Sequence, residues 1–207
     1  MVHGKWNEKL CKIDRIIIPF NWPVYSGHDF GSANPAALFV AQNPGPDEPR
    51  TSTGNQIRKG DFVIFREYLP GSGNSPFEHT QNFKELTDGY SVERSVGGNL
   101  TTEDEVRQGY TVHGWPIMPP RFSRVKAQLD RVYGIYELNK VHIFGDLHHL
   151  LSEVSNCLWE LDDEGRITDK IKNESIFHLL ACWRYIGSDF TPETVTGTGK
   201  SKVTHGW

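Results

Sequence analysis

Cysteine is scarce in this sequence, and long apolar runs are absent. The 207 residues include three cysteines, Cys11, Cys157 and Cys182, which are too few and too widely spaced for a disulfide framework or a zinc ribbon. A reducing compartment fits this usage best. The longest apolar runs, such as residues 16–18, are far too short to cross a membrane, and the first residues hold no apolar signal segment. The sequence therefore predicts an intracellular protein, in the cytoplasm or the nucleus, with no membrane partner.

Neither sign of charge dominates the composition. Lys and Arg number 22 against 26 Asp and Glu, which gives a formal net charge of -4. This balance excludes a generally basic nucleic-acid-binding protein of the histone kind, although it leaves room for a local basic groove. An aromatic content of 12%, with six tryptophans, argues against disorder. The length predicts one domain over residues 1–207 and leaves the oligomeric state open.

Short apolar runs that alternate with helical patterns predict an α/β domain. The apolar runs at 37–41 and 62–65 and the largely apolar segment 140–145 predict buried strands, and 175–182 is a fourth candidate. Apolar periodicity predicts helices over 5–20, 123–136 and 147–161, whereas residues 21–36 carry the signals of a loop. An irregular insertion is expected near 70–120, and a mobile tail from about 191. The predicted fold has three layers, α/β/α, around a central, mainly parallel four-stranded sheet.

The loop after the first buried strand is the main candidate site. In open α/β sheets, ligands bind beyond the carboxyl ends of the strands. Pro44 and Pro46 stiffen this loop, and Gly45 permits an unusual turn. The amides of Gln42 and Asn43 can position a water or a base edge without carrying charge. An ordinary turn between a strand and a loop explains the same residues equally well.

Together with the residues before it, this loop resembles the uracil-DNA glycosylase superfamily. Residues 23–27 and 31–48 are similar to the first sequence block of that family, and Asn43-Pro44-Gly45 matches the turn of its mismatch-specific and single-strand-selective branches. The resemblance covers about half of the chain. It implies the four-stranded fold and an enzyme that hydrolyses the N-glycosidic bond of uracil or a related base in single- or double-stranded DNA. It implies no cofactor and no metal.

The resemblance also implies residue roles. Asn43 would be catalytic by orienting the attacking water, and the turn around it would form the pocket for a base that has left the DNA stack. The remaining substrate-binding residues would be Gln42, Pro44, Gly45, Pro46, Phe62 and His178, and the DNA-binding residues would be Arg50, Arg58, Lys59, Trp183 and Arg184.

Two departures from that family leave alternatives open. The family's His-Pro-Ser-like motif is missing, because Ala181 stands in the histidine register and His178 lies three residues earlier. The four iron–sulfur cysteines of some branches are also absent. A non-catalytic protein that binds nucleic acid or a nucleobase on the same fold therefore remains an alternative.

A third hypothesis rests on the Gly-Asp-Leu-His sequence at 145–148, which resembles the first metal-binding motif of calcineurin-like phosphoesterases. Asp146 and His148 would hold a metal that activates water, but the later motifs of that family do not follow. A helix start explains Asp146 equally well, since an acidic side chain is favourable there. Cys182, at an even spacing from His178, is either a nucleophile or a buried core cysteine.

Overall fold

The computed structural model describes residues 1–31, 35–98 and 103–191, so the predicted tail falls outside the described residues except for its first member. The helices are α1 Glu8–Cys11, α2 Pro76–Leu86, α3 Asp104–Val112, α4 Val125–Glu137, α5 His148–Asn156 and α6 His178–Gly187. The strands are β1 Lys12–Ile13, β2 Val24–Asp29, β3 Ala36–Gln42, β4 Phe62–Tyr68, β5 Val92–Gly97, β6 Val141–Phe144, β7 Trp159–Leu161 and β8 Ile167–Ile171. A 3-10 turn over Glu174–Ile176 precedes α6.

Six strands form the central sheet, in the order β1-β6-β4-β3-β2-β5. Within the described residues, β3 alone runs against the other five, because its pairings with β2 and β4 are antiparallel and the remaining pairings are parallel. The prediction of an α/β fold with a mainly parallel sheet is confirmed, and the prediction of four strands is wrong. Strands β7 and β8 form a separate antiparallel hairpin.

The predicted central strands owe their positions to continuous apolar sequence. Six of the seven residues of β3 are buried, as are the first four of β4 and all four of β6. A strand that is buried on both faces needs apolar residues at every position rather than at alternate ones. The apolar runs at 37–41, 62–65 and 140–145 therefore marked the centre of the sheet correctly.

Helices cover both faces of the sheet. Successive side chains of a strand point to opposite faces, and β2 displays this at Gly27 and His28. Gly27 faces the backbone of Cys182 in α6. The ring of His28 lies on the other face, 4.8 Å from the ring of Phe83 in α2 and 6.5 Å from that of Tyr110 in α3.

Several other segments differ from their predictions. Residues 175–182, expected as a strand, instead finish the 3-10 turn and form the first half of α6. Residues 21–36, expected as a loop, contain β2, and the helix expected over 5–20 is limited to the four residues of α1. The region near 70–120, expected to be irregular, contains α2, β5 and α3. None of the helices in the described ranges has the length and apolar character needed to cross a membrane.

The closest approach between α6 and the sheet depends on a glycine. A Cβ atom at Gly27 would lie 2.2 Å from the carbonyl oxygen of Cys182 and 2.7 Å from its carbonyl carbon. Both are backbone atoms of a buried helix, so neither can swing away. Only glycine allows the helix to lie this close to β2.

We expect Gly27→Ala to lower the free energy of unfolding by about 3 kcal/mol or to prevent folding, because the added methyl group overpacks a backbone contact. Chemical denaturation followed by circular dichroism measures this. Gly145→Ala is the matched control, since its Cβ would lie 3.7 Å from the nearest atom, and it should cost less than about 1 kcal/mol. Equal stability of the two variants would contradict the close approach.

Candidate functional site

The strand directions bring the carboxyl ends of five strands to one edge of the sheet. β1, β2, β4, β5 and β6 all end there, whereas β3 begins there and ends at the opposite edge. We call the first edge the Asp29 edge, after the last residue of β2, and the second the Asn43 edge, after the residue that follows β3. Ligands of parallel sheets bind at the carboxyl ends of the strands, which favours the Asp29 edge.

Asp29 and His178 form the centre of the Asp29 edge. The Nδ1 atom of His178, the first residue of α6, lies 2.7 Å from Oδ2 of Asp29. The two side chains are 18% exposed for His178 and 24% exposed for Asp29, so the pair is accessible from solvent. The bond fixes one carboxylate oxygen and leaves Oδ1 without a hydrogen bond among the described residues.

A second carboxylate holds α6 in place beside this pair. Glu153 of α5 accepts hydrogen bonds from the backbone N–H groups of Leu179 and Leu180, at 3.2 and 2.9 Å. The N-terminus of a helix leaves such N–H groups unpaired and carries a partial positive charge, so a carboxylate is favourable there. Burial raises the pKa of Glu153 to about 7, against the lowering effect of these two bonds. Glu153 therefore positions His178 by fixing the turn on which it stands.

Glu103 joins the site from the segment that follows β5. Its Oε2 atom would be only 2.8 Å from a Cβ placed on Gly98, whose φ of +73° lies in the left-handed region. Glycine at that position therefore lets the carboxylate approach the end of β5. Asp29 and Glu103 line the same cleft, and the negative charge of Glu103 adds to the effect of burial in raising the pKa of Asp29.

Asp29, Gly98 and Glu103 line a cleft of about 290 Å³, which we call the Asp29 cleft. Arg184 of α6 and Glu174 of the 3-10 turn also line it, and they form an ion pair of 2.8 Å between Nη2 and Oε1. The full lining comprises Asp29, Gly98, Glu103, Pro120, Ser123, Val125, Gln128, Glu174, Arg184 and Tyr185.

Opposing influences set the protonation of Asp29. Burial has the largest effect and raises its pKa, and the charge of Glu103 acts in the same direction. The hydrogen bond and charge of His178 and the charge of Arg184 lower it. A carboxylate whose pKa is raised by burial and by a neighbouring carboxylate gains stability from a cation, because a cation relieves the repulsion.

The donor atoms of the cleft suit one kind of metal ion. Among the described residues, no group of three or more His, Cys, Asp or Glu side chains is arranged to hold a metal. Asp29 and Glu103 nevertheless offer carboxylate oxygens to the same cleft. Mg²⁺ and similar hard cations are commonly held by one or two carboxylates, with waters and substrate phosphates completing the shell. The residues present therefore fit a hard divalent cation that binds together with a phosphate.

Asn43, the predicted catalytic residue, is buried at the opposite edge and is 1% exposed. Its Nδ2 donates to the carbonyl oxygens of Asp47 and Ile57, at 2.8 and 2.9 Å, and its Oδ1 accepts from the N–H of Gly45 at 2.7 Å. These three hydrogen bonds satisfy the side chain of Asn43 within the loop that connects β3 to β4, so Asn43 stabilises the conformation of that loop. The other residues predicted to form the base pocket do not line the Asp29 cleft either. They are Gln42, Pro44, Gly45 and Pro46.

The remaining predicted site residues divide between the two edges. Phe62 and Trp183 are 0% and 1% exposed, so neither ring is available to stack on a base. Arg50, Arg58 and Lys59 are exposed on the loop at the Asn43 edge, at the other end of the strands from Asp29. Of the predicted residues, His178 and Arg184 belong to the Asp29 edge.

The structure also locates the residues of the other sequence hypotheses. Asp146 lies at an exposed position, where it pairs with Arg15 at 2.6 Å. Cys182 is 0% exposed, and burial raises the pKa of its thiol well above the ordinary value, which is the environment of an inert core cysteine. His178 contacts Asp29 rather than this thiol.

Solved structures of phage large terminases have the same fold. The nuclease domain of the P22 large terminase matches with a TM-score of 0.62 at 14% identity, over 94% of this chain and 96% of that one. The large terminase of a thermophilic bacteriophage matches with a TM-score of 0.70 at 12% identity, over 91% of this chain and 45% of that one. The nuclease domain of g2p from bacteriophage SPP1, with bound Mn, matches with a TM-score of 0.60 at 15% identity, over 86% of this chain and 94% of that one.

This chain spans less than half of the terminase from the thermophilic bacteriophage. No protein-family model matches its sequence, and no curated protein is significantly similar to it. The structural similarity establishes an RNase H-like fold of the kind found in terminase nuclease domains. The predictions of a uracil-DNA glycosylase fold and of base excision are therefore wrong.

We expect Asn43→Ala to lower the free energy of unfolding by about 1–3 kcal/mol, because it leaves the buried carbonyl of Ile57 and two half-buried backbone groups without their partners. Urea denaturation measures the loss. Gln42→Ala is the control and should cost no more than about 0.5 kcal/mol, since Gln42 makes a single 3.4 Å side-chain bond to the carbonyl oxygen of Gly60. A neutral Asn43→Ala would refute the structural role.

Glu153→Gln tests the buried carboxylate. Burial raises the pKa of Glu153 from 4.5 to about 7, so the folded protein retains a proton that the unfolded chain has released. Stability from this group is therefore greatest at low pH and is lost as the pH rises from about 4.5 to 7. The Gln variant does not titrate, so wild type should lose about 2 kcal/mol relative to it across this range.

Urea denaturation at about pH 5 and about pH 8, on either side of most of this titration, measures the difference. Glu85→Gln, at an exposed position of α2, is the control for loss of a surface carboxylate and should change the free energy of unfolding by less than about 0.5 kcal/mol at either pH. A gap between wild type and Glu153→Gln that stays constant with pH would contradict the raised pKa.

Proposed function

We propose that this chain is a divalent-metal-dependent nuclease domain that hydrolyses phosphodiester bonds of DNA at the Asp29 cleft. The observation that carries the proposal is the position of Asp29. It ends an inner strand of the sheet, lies beside Glu103 and opens into a cleft at the edge where the other parallel strands end. The terminase domains of P22 and SPP1, which have the same fold, are nucleases, and the SPP1 domain was solved with bound Mn.

The residues of the cleft have separable tasks in this proposal. Asp29 and Glu103 would hold the cation. When bound, a divalent cation polarises a phosphoryl oxygen and lowers the pKa of a coordinated water. His178 orients the Asp29 carboxylate through the 2.7 Å bond to Oδ2 and so leaves Oδ1 for the ligand. Partners of this kind, which orient a metal-binding carboxylate, commonly affect metal affinity or activity by roughly 10–100-fold.

This proposal keeps the phosphoesterase class considered from the sequence but moves its site. The motif at 145–148 is not used, because Asp146 is paired with Arg15 on the surface. The proposal concerns this domain alone, since the chain corresponds to 45% of the length of the terminase from the thermophilic bacteriophage.

Cleavage of DNA by the purified protein tests the proposal. We expect strand breaks in plasmid and single-stranded DNA with Mg²⁺ or Mn²⁺, without alkaline treatment, and none with a chelator. Asp29→Asn should reduce the rate at least about a hundredfold, because it removes a charge from the cation site while preserving shape.

Asp146→Asn is the matched control, because it is an aspartate at the same edge that the proposal leaves outside the site, and it should retain the wild-type rate. Cleavage that persists in chelator, or an Asp29→Asn variant as active as wild type, would refute the assignment. DNA retention without any cleavage would instead identify a binding domain.

A further inference from the structure

The Asp29 cleft also contains two buried side chains with unused hydrogen-bonding atoms. Arg184 is 3% exposed, and its Nε and Nη1 atoms have no hydrogen-bond partner among the described residues. Gln128 of α4 is 2% exposed, and its Oε1 atom likewise has no partner there. The other ends of both side chains are fixed, since Arg184 Nη2 donates to Glu174 and Gln128 Nε2 donates to the carbonyl oxygen of Phe122 at 2.7 Å.

Unused polar atoms at such positions are costly. A buried donor or acceptor that lacks a partner costs about 1–3 kcal/mol, and more when the group is charged. Most buried polar groups in proteins are therefore paired with protein, with water or with a ligand. Arg184 and Gln128 both line the cleft, which makes a ligand in the cleft the candidate partner of these atoms.

The scaffold of these two residues is rigid. They stand on α4 and α6, which pack against each other. The contact is close, because a Cβ atom on Gly187 of α6 would lie 2.8 Å from Cγ2 of Val132 in α4. Side chains on packed helices hold their geometry better than side chains on loops.

The two orphaned donors of Arg184 identify the ligand chemistry. Nε and Nη1 lie on different edges of the planar guanidinium, so each can donate one charge-assisted hydrogen bond to a phosphate oxygen. Gln128 Oε1 accepts a hydrogen bond, which a hydroxyl or amino group of an attached nucleotide can supply. A cleft of about 290 Å³ is at the small end of ligand sites and accommodates one such group.

We propose that Arg184 and Gln128 form a phosphate subsite of the Asp29 cleft, which binds a phosphate of the DNA strand and a polar group of the same nucleotide. This inference rests on the proposed function for the identity of the strand, although not for the phosphate chemistry. Asp29, Glu103 and Glu174 also line the cleft, so the carboxylates outnumber the single guanidinium. Phosphate binding should consequently be stronger when a divalent cation is present to offset that charge.

Binding rather than cleavage tests the subsite. Fluorescence anisotropy of a labelled DNA oligonucleotide, with Ca²⁺ present and with chelator, gives the Kd of wild type and of Arg184→Gln. We expect at least a roughly tenfold weaker Kd for the variant in Ca²⁺, because a charge-assisted hydrogen bond and the positive charge of the guanidinium are lost. Arg166→Gln is the control, since Arg166 pairs with Asp162 and Glu164 on the exposed hairpin, and its Kd should stay within about twofold of wild type.

Gln128→Glu keeps the test decisive if Arg184→Gln fails to fold. This substitution preserves the volume of the side chain and adds a negative charge to the cleft that Arg184 also lines. The added charge repels a phosphate, so DNA binding should weaken at least about tenfold. Circular dichroism checks that each variant is folded. Inorganic phosphate, measured by calorimetry against the same proteins, distinguishes a free ion from a DNA phosphate as the ligand. Loss of binding by a folded variant in either arm supports the subsite.

Wild-type Kd values for Gln128→Glu and for folded Arg184→Gln, with DNA and with inorganic phosphate, would overturn the inference. The result is independent of the nuclease assignment. A protein that cuts DNA with unchanged affinity in both variants retains the proposed function and loses the subsite. A protein that cuts no DNA but binds it in an Arg184-dependent way loses the nuclease assignment and retains the subsite.

Discussion

The contact between Gly27 and Cys182 governs the arrangement of the whole site. A helix can approach a strand this closely only where the strand lacks a side chain, and Gly27 provides that position in β2. Two residues further along the chain, Asp29 points to the same face as Gly27, because side chains alternate along a strand. The N-terminus of α6 is thereby brought to Asp29, and the 2.7 Å bond to His178 follows from the packing. The chemistry of the cleft thus depends on one absent side chain in the sheet.

Carboxylates at the Asp29 edge serve two different purposes. Glu153 and Glu67 accept bonds from backbone N–H groups at the starts of α6 and α5 and so hold those two helix ends in place. Asp29 and Glu103 instead line the cleft. This difference separates carboxylates that build the scaffold from carboxylates that face the cleft.

The sequence predicted the centre of the sheet and missed the strand that carries the site. Apolar runs identify β3 and β4, and a largely apolar segment identifies β6, since these strands are buried on both faces. β2 reads Val-Tyr-Ser-Gly-His-Asp, and its glycine and polar residues are typical of a loop in isolation. Contacts between residues distant in sequence explain why these residues stand in a strand. Gly27 allows α6 to pack closely against β2, and Ser26 forms hydrogen bonds with His28 and Ser95 within the core. Similarly, eight of the ten residues of α6 are buried, so this short helix has no periodicity to distinguish it from a buried strand.

The direction of a single strand determined which edge of the sheet was considered functional. In a fully parallel sheet, the residues after β3 would have lain beside Asp29, and Asn43 would have faced the ligand. β3 instead runs against its neighbours, so the proline-rich corner lies at the edge where the other strands begin. There, Asn43 bonds to three backbone groups, and the same stiffness that suggested a catalytic turn secures a long connection to β4. A rigid polar corner is therefore a functional signal only when the strand before it ends at the ligand-binding edge, and that condition depends on pairings between residues distant in sequence.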